Sequence, residues 1–359
     1  MSGETFWRRR RVRATAAWTA GAVAVAGGLF WLSGGYDAWR HDLALDSACD
    51  GDLPAGALRA LLGGTEVTAE SEADGGGWQC VVNEVDDEED GVARLRLSVQ
   101  RADDRASAVD ADGRDAPLGH GWTGGFAFSP DGDEDDRGEA TAVVLLDCGE
   151  KPGDGLVAAV RARLEHGDFT TAEARTRLTQ VLTGTAASYA ERTGCAAKLG
   201  GPAGDPGVSV TSWDHKPFAA VSGPCAGVLD AATAARWGVR TAVESAPGPK
   251  PVESCALGGL QGAPLYELRA SYGPFPGLRR FDARDAAREE GDREDGRYFR
   301  RAQCPGTDAR AVYEIVPMTV GRTGGEATGP ALDHPGLRAA LDRFAAASAK
   351  AHGCARPGA

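Results

Sequence analysis

The chain has 359 residues, with 52 acidic against 39 basic side chains and a formal net charge of −13. That length leaves room for two domains of ordinary size. The acidic balance argues against nucleic acid or anionic lipid headgroups as partners.

The first element in chain order is apolar. Residues 14–36 carry no charge, and Ala14 to Leu32 is mostly apolar, with Trp18, Phe30 and Trp31 among small residues. Nineteen residues at about 1.5 Å each just cross a hydrocarbon core of roughly 30 Å. Arg8, Arg9, Arg10, Arg11 and Arg13 stand immediately before it, so the first 13 residues, which also hold Glu4, carry a local +4 and the remainder −17. Positive charge stays on the cytoplasmic side. The reading is a cytoplasmic tail (1–13), a single-pass transmembrane signal-anchor helix (14–36) and an extracellular ectodomain. A cleavable signal peptide is the alternative. The bulky Phe30-Trp31-Leu32 stands where cleavage needs small residues, and no cysteine follows in a lipobox.

The ectodomain divides at Gly200-Gly-Pro-Ala-Gly-Asp-Pro-Gly207, whose Gly/Pro content marks a linker. The first unit runs over 45–200. A short helix is expected over 54–63, strands over 78–85, 92–100, 124–129 and 141–148, and a long helix over 171–193. Leu95, Leu97 and Val99 alternate with Arg94, Arg96 and Ser98, the pattern of a sheet covered on one side. The second unit runs over 208–356, with strands near 252–258, 264–271, 297–304 and 310–320. Each unit thus reads as an α+β layer fold: an antiparallel sheet with a short opening helix and a longer closing helix.

Eight cysteines tie the two units together as a repeat. Successive gaps are 31, 68 and 47 from Cys49 through Cys80 and Cys148 to Cys195, and 30, 49 and 50 from Cys225 through Cys255 and Cys304 to Cys354. Leu53 and Leu229 both stand four residues after a first cysteine, and a glycine (Gly63, Gly238) closes each short helix. Leu178 to Cys195 aligns without gaps on Leu337 to Cys354, both ending Gly-Cys. The repeat also settles residues 156–164, whose period fits helix or strand. Their counterpart, Ala311 to Val320, is β-branched and aromatic, so both are expected to be strands.

An even number of cysteines outside the membrane reads as disulfides. Zinc would need close Cys/His pairs, and the nearest cysteines are 30 apart. Eight cysteines allow 105 pairings, and nine remain if bridges stay within a repeat. Of these the expectation is Cys49–Cys80, Cys148–Cys195, Cys225–Cys255 and Cys304–Cys354, because each closing helix must be tied to the strand before it.

No residue pattern names a chemistry. The acidic run Asp131–Glu139 fails as an EF-hand, with Asp136 where glycine is needed and Ala142 in place of the bidentate glutamate. It and Asp86–Gly91 read as solvated loops, with weak surface binding of calcium left open. There is no G-x-S-x-G elbow, no Ser-x-x-Lys set and no His-Glu-x-x-His. His215, in Trp213-Asp214-His215-Lys216, is the one histidine set aside as a weak candidate. Trp78 is expected to pack on the bridge at Cys80. Trp122, Phe126 and Phe128, with Tyr266, Tyr272, Phe275 and Phe281 in the second unit, read as core or groove lining. No catalytic, cofactor-binding or metal-ligating residue is assigned.

The Cys49-x-x-x-Leu53 helix ending in glycine, followed by Trp78-x-Cys80, resembles actinobacterial envelope lipoprotein and sensor-type domains of unknown function. The abundance of alanine, glycine, arginine and aspartate over lysine fits such a high-GC source. The resemblance implies an exported cell-surface module and carries no catalytic residue. The chain departs from it in having an apolar anchor in place of a lipid-attached cysteine, and Glu253 where the second repeat would need tryptophan. The expectation is a non-enzymatic binding or scaffolding module of the envelope, without cofactor, whose partner is an envelope protein or a small ligand. A carrier of a small apolar ligand and a hydrolase with an unrecognised site remain as alternatives. A carrier predicts an enclosed apolar pocket, an interaction module an exposed apolar patch, and a hydrolase a cleft with perturbed titratable groups.

Overall fold

The computed structural model of the chain describes residues 45–357, apart from 46, 64–66, 75–76, 85–93, 102–113, 149–154, 166, 212, 273–289, 293–294, 306–309 and 319–331. The expected anchor (14–36) and the loop 86–91 lie outside the described residues. Among the described residues no helix is long and apolar enough to cross a membrane.

The chain folds as two antiparallel seven-stranded sheets with helices. The first unit contains α1 (Ala55–Leu61), β1 (Val67–Asp74), β2 (Gly77–Glu84), β3 (Leu95–Arg101), β4 (Ala116–Pro117), β5 (Thr123–Phe128), α2 (Glu134–Gly138), β6 (Glu139–Leu146), β7 (Leu156–Arg163) and α3 (Ala172–Thr193). The second contains β8 (Lys216–Pro217), α4 (Ala231–Trp237), β9 (Thr241–Glu244), β10 (Val252–Gly258), β11 (Pro264–Ser271), β12 (Glu290–Asp292), β13 (Tyr298–Ala302), β14 (Ala311–Pro317) and α5 (His334–Ala351). Residues 156–163 are a strand, as the repeat required.

The strand orders make the duplication explicit. The first sheet runs β1-β2-β3-β7-β6-β5-β4, and the second, from its β8 edge, runs β8-β9-β10-β11-β14-β13-β12. Six strands occupy equivalent places in the two: β1-β2-β3-β7-β6-β5 matches β9-β10-β11-β14-β13-β12. The seventh strand differs, for β4 extends one end of the first sheet and β8 the opposite end of the second. Register agrees too, since Cys80 faces Leu97 across β2–β3 and Cys255 faces Leu268 across β10–β11.

One face of each sheet is closed by helices. Leu95, Leu97 and Val99 of β3 point to α3, whose Leu178, Val181, Leu182 and Ala186 are buried against them. Tyr266, Leu268 and Ile315 meet Leu337, Leu341 and Phe344 of α5 in the same way. Each closing helix is capped by its own sequence. The Thr171 hydroxyl accepts from Ala174 N–H, and Asp333 Oδ1 accepts from Gly336 N–H. Gly194 ends α3 in the left-handed region that its lack of Cβ permits.

All eight cysteines are bridged: Cys49–Cys80, Cys148–Cys195, Cys225–Cys255 and Cys304–Cys354. In each unit one bridge fixes the opening turn to the second strand of the common six. The other fixes the end of the closing helix to the chain just past β6 or β13.

The opening turn and helix end of the first unit carry a further lock. Cys49, Asp50 and Gly51 all take positive φ, which turns Asp50 Oδ2 onto the Trp78 indole N–H at 3.0 Å. Trp78 also packs on Tyr189 of α3, with centroids 5.9 Å apart. The buried Asp52 accepts from Arg192 Nε at 3.0 Å and Nη2 at 2.5 Å. Those hydrogen bonds hold the Arg192 guanidinium above its usual range.

The glycine- and proline-rich linker between the units is hydrogen-bonded to the first unit at several points. Gly201 N–H donates to His120 O, and the buried Trp122 indole donates to Gly201 O at 2.9 Å. Asp205 makes a two-pronged pair with Arg175 of α3, at 2.8 and 2.9 Å. The units also touch through the helix-free face of the first sheet, where Val143, Val157 and Ala159 cluster with Val252. The fully buried Lys250 donates to Asp115 O at 3.0 Å, and Gly124 N–H donates to Pro249 O.

Candidate functional site

The helix-free face of the first sheet carries an open cleft of about 520 Å³. A row of paired residues crosses its floor: Ala127 of β5 faces Thr141 of β6, which faces Arg161 of β7. One wall is the turn after β5, Ser129 to Gly132, with Asp136 of α2. The other wall is Arg114 with Ser209, Val210, Thr211 and Trp213 of the chain leaving the linker.

Local sequence explains both walls. In the acidic run the expected plain loop contains one helical turn, because Asp133 Oδ1 caps Asp136 N–H at 3.0 Å. Arg137 closes it by donating to Gly132 O. Arg137 also lies 3.5 Å from Asp168. Asp168 is held below the usual carboxylate range, first by the Thr170 hydroxyl and further by Arg137. The opposite wall continues the sheet edge where β4 stops. The buried Ser209 hydroxyl accepts from Phe128 N–H and donates to Phe126 O, both at 3.2 Å. Val210 N–H donates to Arg114 O. Thr211 to Asp214 then form a tight turn, in which Asp214 Oδ2 accepts from Thr211 N–H at 2.7 Å and from the Thr211 hydroxyl at 3.1 Å. This turn holds Trp213 with 78% of its surface exposed, beside the cleft.

A second polar group is buried in the second unit. Ser348 of α5 donates to Glu253 of β10, and the Tyr272 hydroxyl lies 2.5 Å from Ser348 Oγ. His352 Nε2 is 3.0 Å from Glu253 Oε1, and its ring stacks on Tyr272 at 3.8 Å. Burial pushes the Tyr272 phenol far up, and Tyr313 nearby up to about 12 for the same reason. Glu253 takes the place that Trp78 holds in the first unit, and Ser348 that of Tyr189. An aromatic pair in one repeat is therefore a hydrogen-bonded chain in the other. Its order is Tyr–Ser–Glu–His. The histidine contacts the carboxylate rather than the serine, and Ser348, Glu253 and Tyr272 are all buried, so the group acts as a clamp on α5.

No family model matches the chain, no curated protein is detectably similar to it, and no solved structure matches it. The resemblance carried by the cysteine-flanking residues thus rests on those residues alone.

Of the residues singled out in the sequence, Asp131, Asp136 and Phe128 reach the cleft, while Trp122, Phe126, Tyr266 and Tyr272 are core. Trp78 packs beside its bridge, as expected. Phe275 and Phe281 lie outside the described residues. His215 is exposed on the segment after Trp213, against Gly262 of the β10–β11 turn, and is not part of the cleft lining. Among the described residues no group of three or more His, Cys, Asp or Glu side chains could hold a metal ion. No sequence pattern joins Arg114, Thr141, Arg161 and Trp213, which come from separate segments. The available signal was Trp213 itself, a large aromatic in the otherwise polar stretch Thr211 to Lys216.

Proposed function

We propose that this chain is a non-enzymatic binding or scaffolding module of the cell envelope, carried outside a membrane by a signal-anchor helix at 14–36. Four disulfides support an oxidising, extracellular setting for the two units. The observation that carries the binding reading is Trp213. Burying a tryptophan is favourable by a few kcal/mol, yet this ring is held in water by a hydrogen-bonded turn at the edge of a cleft. Large, rigid aromatics in such settings are where binding energy concentrates. The carrier reading has less support. The layers between sheets and helices are filled by Phe126, Leu178, Leu182, Tyr266 and Phe344, and the cleft is open and charged. A hydrolase would need a nucleophile that a substrate can reach beside its base; Ser348 donates to the Glu253 carboxylate, but both side chains are buried.

The test places a photo-cross-linking residue at position 213 of the full-length chain in its native envelope, with position 260, also exposed (83% for Leu260), as the control. Discrete adducts at 213 and none at 260 are expected. Equal, diffuse labelling at both positions, or none at either, would overturn the proposal.

A further inference from the structure

We propose that the cleft is a saccharide-binding site; this rests on the binding reading above and names its ligand class. The lining brings hydrogen-bond donors and acceptors together in near balance. Arg114 and Arg161 place guanidinium groups on the lining, Asp131 and Asp136 place carboxylates, and Thr141 can donate and accept, while the third carboxylate, Glu139, already lies 3.7 Å from Arg163. An anion site would gather donors without three carboxylates around them, and a cation site would exclude the arginines. A polyhydroxylated ring, carrying donor and acceptor on each hydroxyl, can hydrogen-bond to both sets.

The remaining wall fits the other half of a sugar. A pyranose has flat apolar C–H faces, and the partner for such a face is the flat face of an aromatic ring standing beside polar groups. Trp213 is such a ring at the cleft edge, and the hydrogen bonds of the Asp214 turn hold the backbone that carries it, so little backbone freedom is lost there on binding. The volume of about 520 Å³ lies within the range of small-ligand sites, about 300–1,000 Å³. Being open at its mouth, the cleft can seat part of a chain as well as a free sugar. An apolar ligand would find charged groups on every wall and leave them desolvated, at a cost.

The test is saturation-transfer NMR on the full-length chain in a detergent without a sugar headgroup. The probes are maltotriose, cellotriose, triacetylchitotriose and trigalacturonate. At least one trisaccharide is expected to bind. Trp213→Ala and Arg161→Ala are each expected to weaken it about tenfold or more, whereas Trp213→Phe retains most of the affinity and Leu260→Ala all of it. Intact mass (four bridges) and circular dichroism confirm that each variant is folded. Failure of all four probes to bind overturns the saccharide class, as does binding that survives Trp213→Ala. If the sugars fail while position 213 still gives discrete adducts, the binding reading stands with a protein occupant; if both fail, both readings fall.

Discussion

The two units solve one packing problem in opposite ways, which makes a reciprocal experiment possible. Three residues after its first cysteine the first unit has Asp52 and the second has Val228, and both side chains are buried. The gap-free alignment of the closing helices sets Arg192 opposite Ala351. The first unit thus has an ion pair at this corner, where the second has the buried Val228 and an exposed Ala351. The pair is lopsided: the Asp52 side chain is 3% exposed and that of Arg192 41%. Removing one partner of a fully buried pair costs about 3–5 kcal/mol. Because water reaches the arginine side, Arg192→Ala is expected to cost about 2–3 kcal/mol by stranding the carboxylate. Asp52→Val leaves an arginine that can turn to solvent, and should cost about 1 kcal/mol. The double variant Asp52→Val/Arg192→Ala copies the second unit and should cost about 1 kcal/mol or less, well under the sum of the two. Urea unfolding with the bridges intact, followed by hydrogen exchange of α3 to isolate the first unit, measures all three. A double variant as unstable as Arg192→Ala alone would show that the stranded carboxylate is not the cause.

Other consequences can be measured directly. Asp205 is held below the usual carboxylate range, first by the Arg175 hydrogen bonds. Its contribution to stability is therefore present above its unfolded pKa of about 3.9 and is lost as pH falls through the lower folded value. Asp205→Asn should flatten the acid limb of a stability–pH curve below about pH 4, and an unchanged limb would refute this. Burial raises Tyr266 and Tyr313 to about 12 and Tyr272 further, so the neutral phenols stabilise the fold below about pH 10, and this is lost on titration at higher pH. Ultraviolet titration should show no more than three of the six tyrosines ionising near pH 10, the rest appearing only with unfolding. The paired change Cys148→Ala/Cys195→Ala opens a loop of 47 residues and should cost about 4 kcal/mol on the chain-entropy model, with exchange rising first at the Gly194 end of α3. Gly248 has φ +142°, and a Cβ there would stand 2.9 Å from Pro117 across the contact between units. Gly248→Ala should split a single melting transition into two; one unbroken transition would show that this contact does not couple the units.

What could be read in the sequence follows from how strongly each element is buried. Strands packed on a helix, such as β10 and β11, and both capped closing helices announce themselves through alternation, helical spacing and glycine stops. The edge strand β1 does not. Val67 to Asp74 includes Thr68, Glu70, Ser71, Glu72 and Asp74, and its pairing is set by β2, not by its own pattern. Two-residue strands such as β4 and β8 leave no period to detect. The turn in the acidic run was hidden because its cap, Asp133, is one aspartate among many. Glycine and proline mark the linker, but they report backbone freedom and say nothing of Asp205 meeting Arg175. The cleft was the least legible feature. Its row of Ala127, Thr141 and Arg161 exists only once three strands are in register, and sheet register is a property of the whole unit.

The pattern of bridges also determines how the molecule would respond to being pulled. Each disulfide shunts tension across the loop it closes, so about half of the residues between Cys49 and Cys354 cannot be drawn out by a force on the two ends. Both closing helices, α3 and α5, lie inside such loops. The slack lies instead in Val81 to Asp147, Ala196 to Pro224 and Ala256 to Gln303, and the second of these includes Ser209 to Trp213. Under load the linker hydrogen bonds would be among the first to peel, and the cleft wall they support would go with them, so a ligand seated against Trp213 would be released while both helical layers stayed closed.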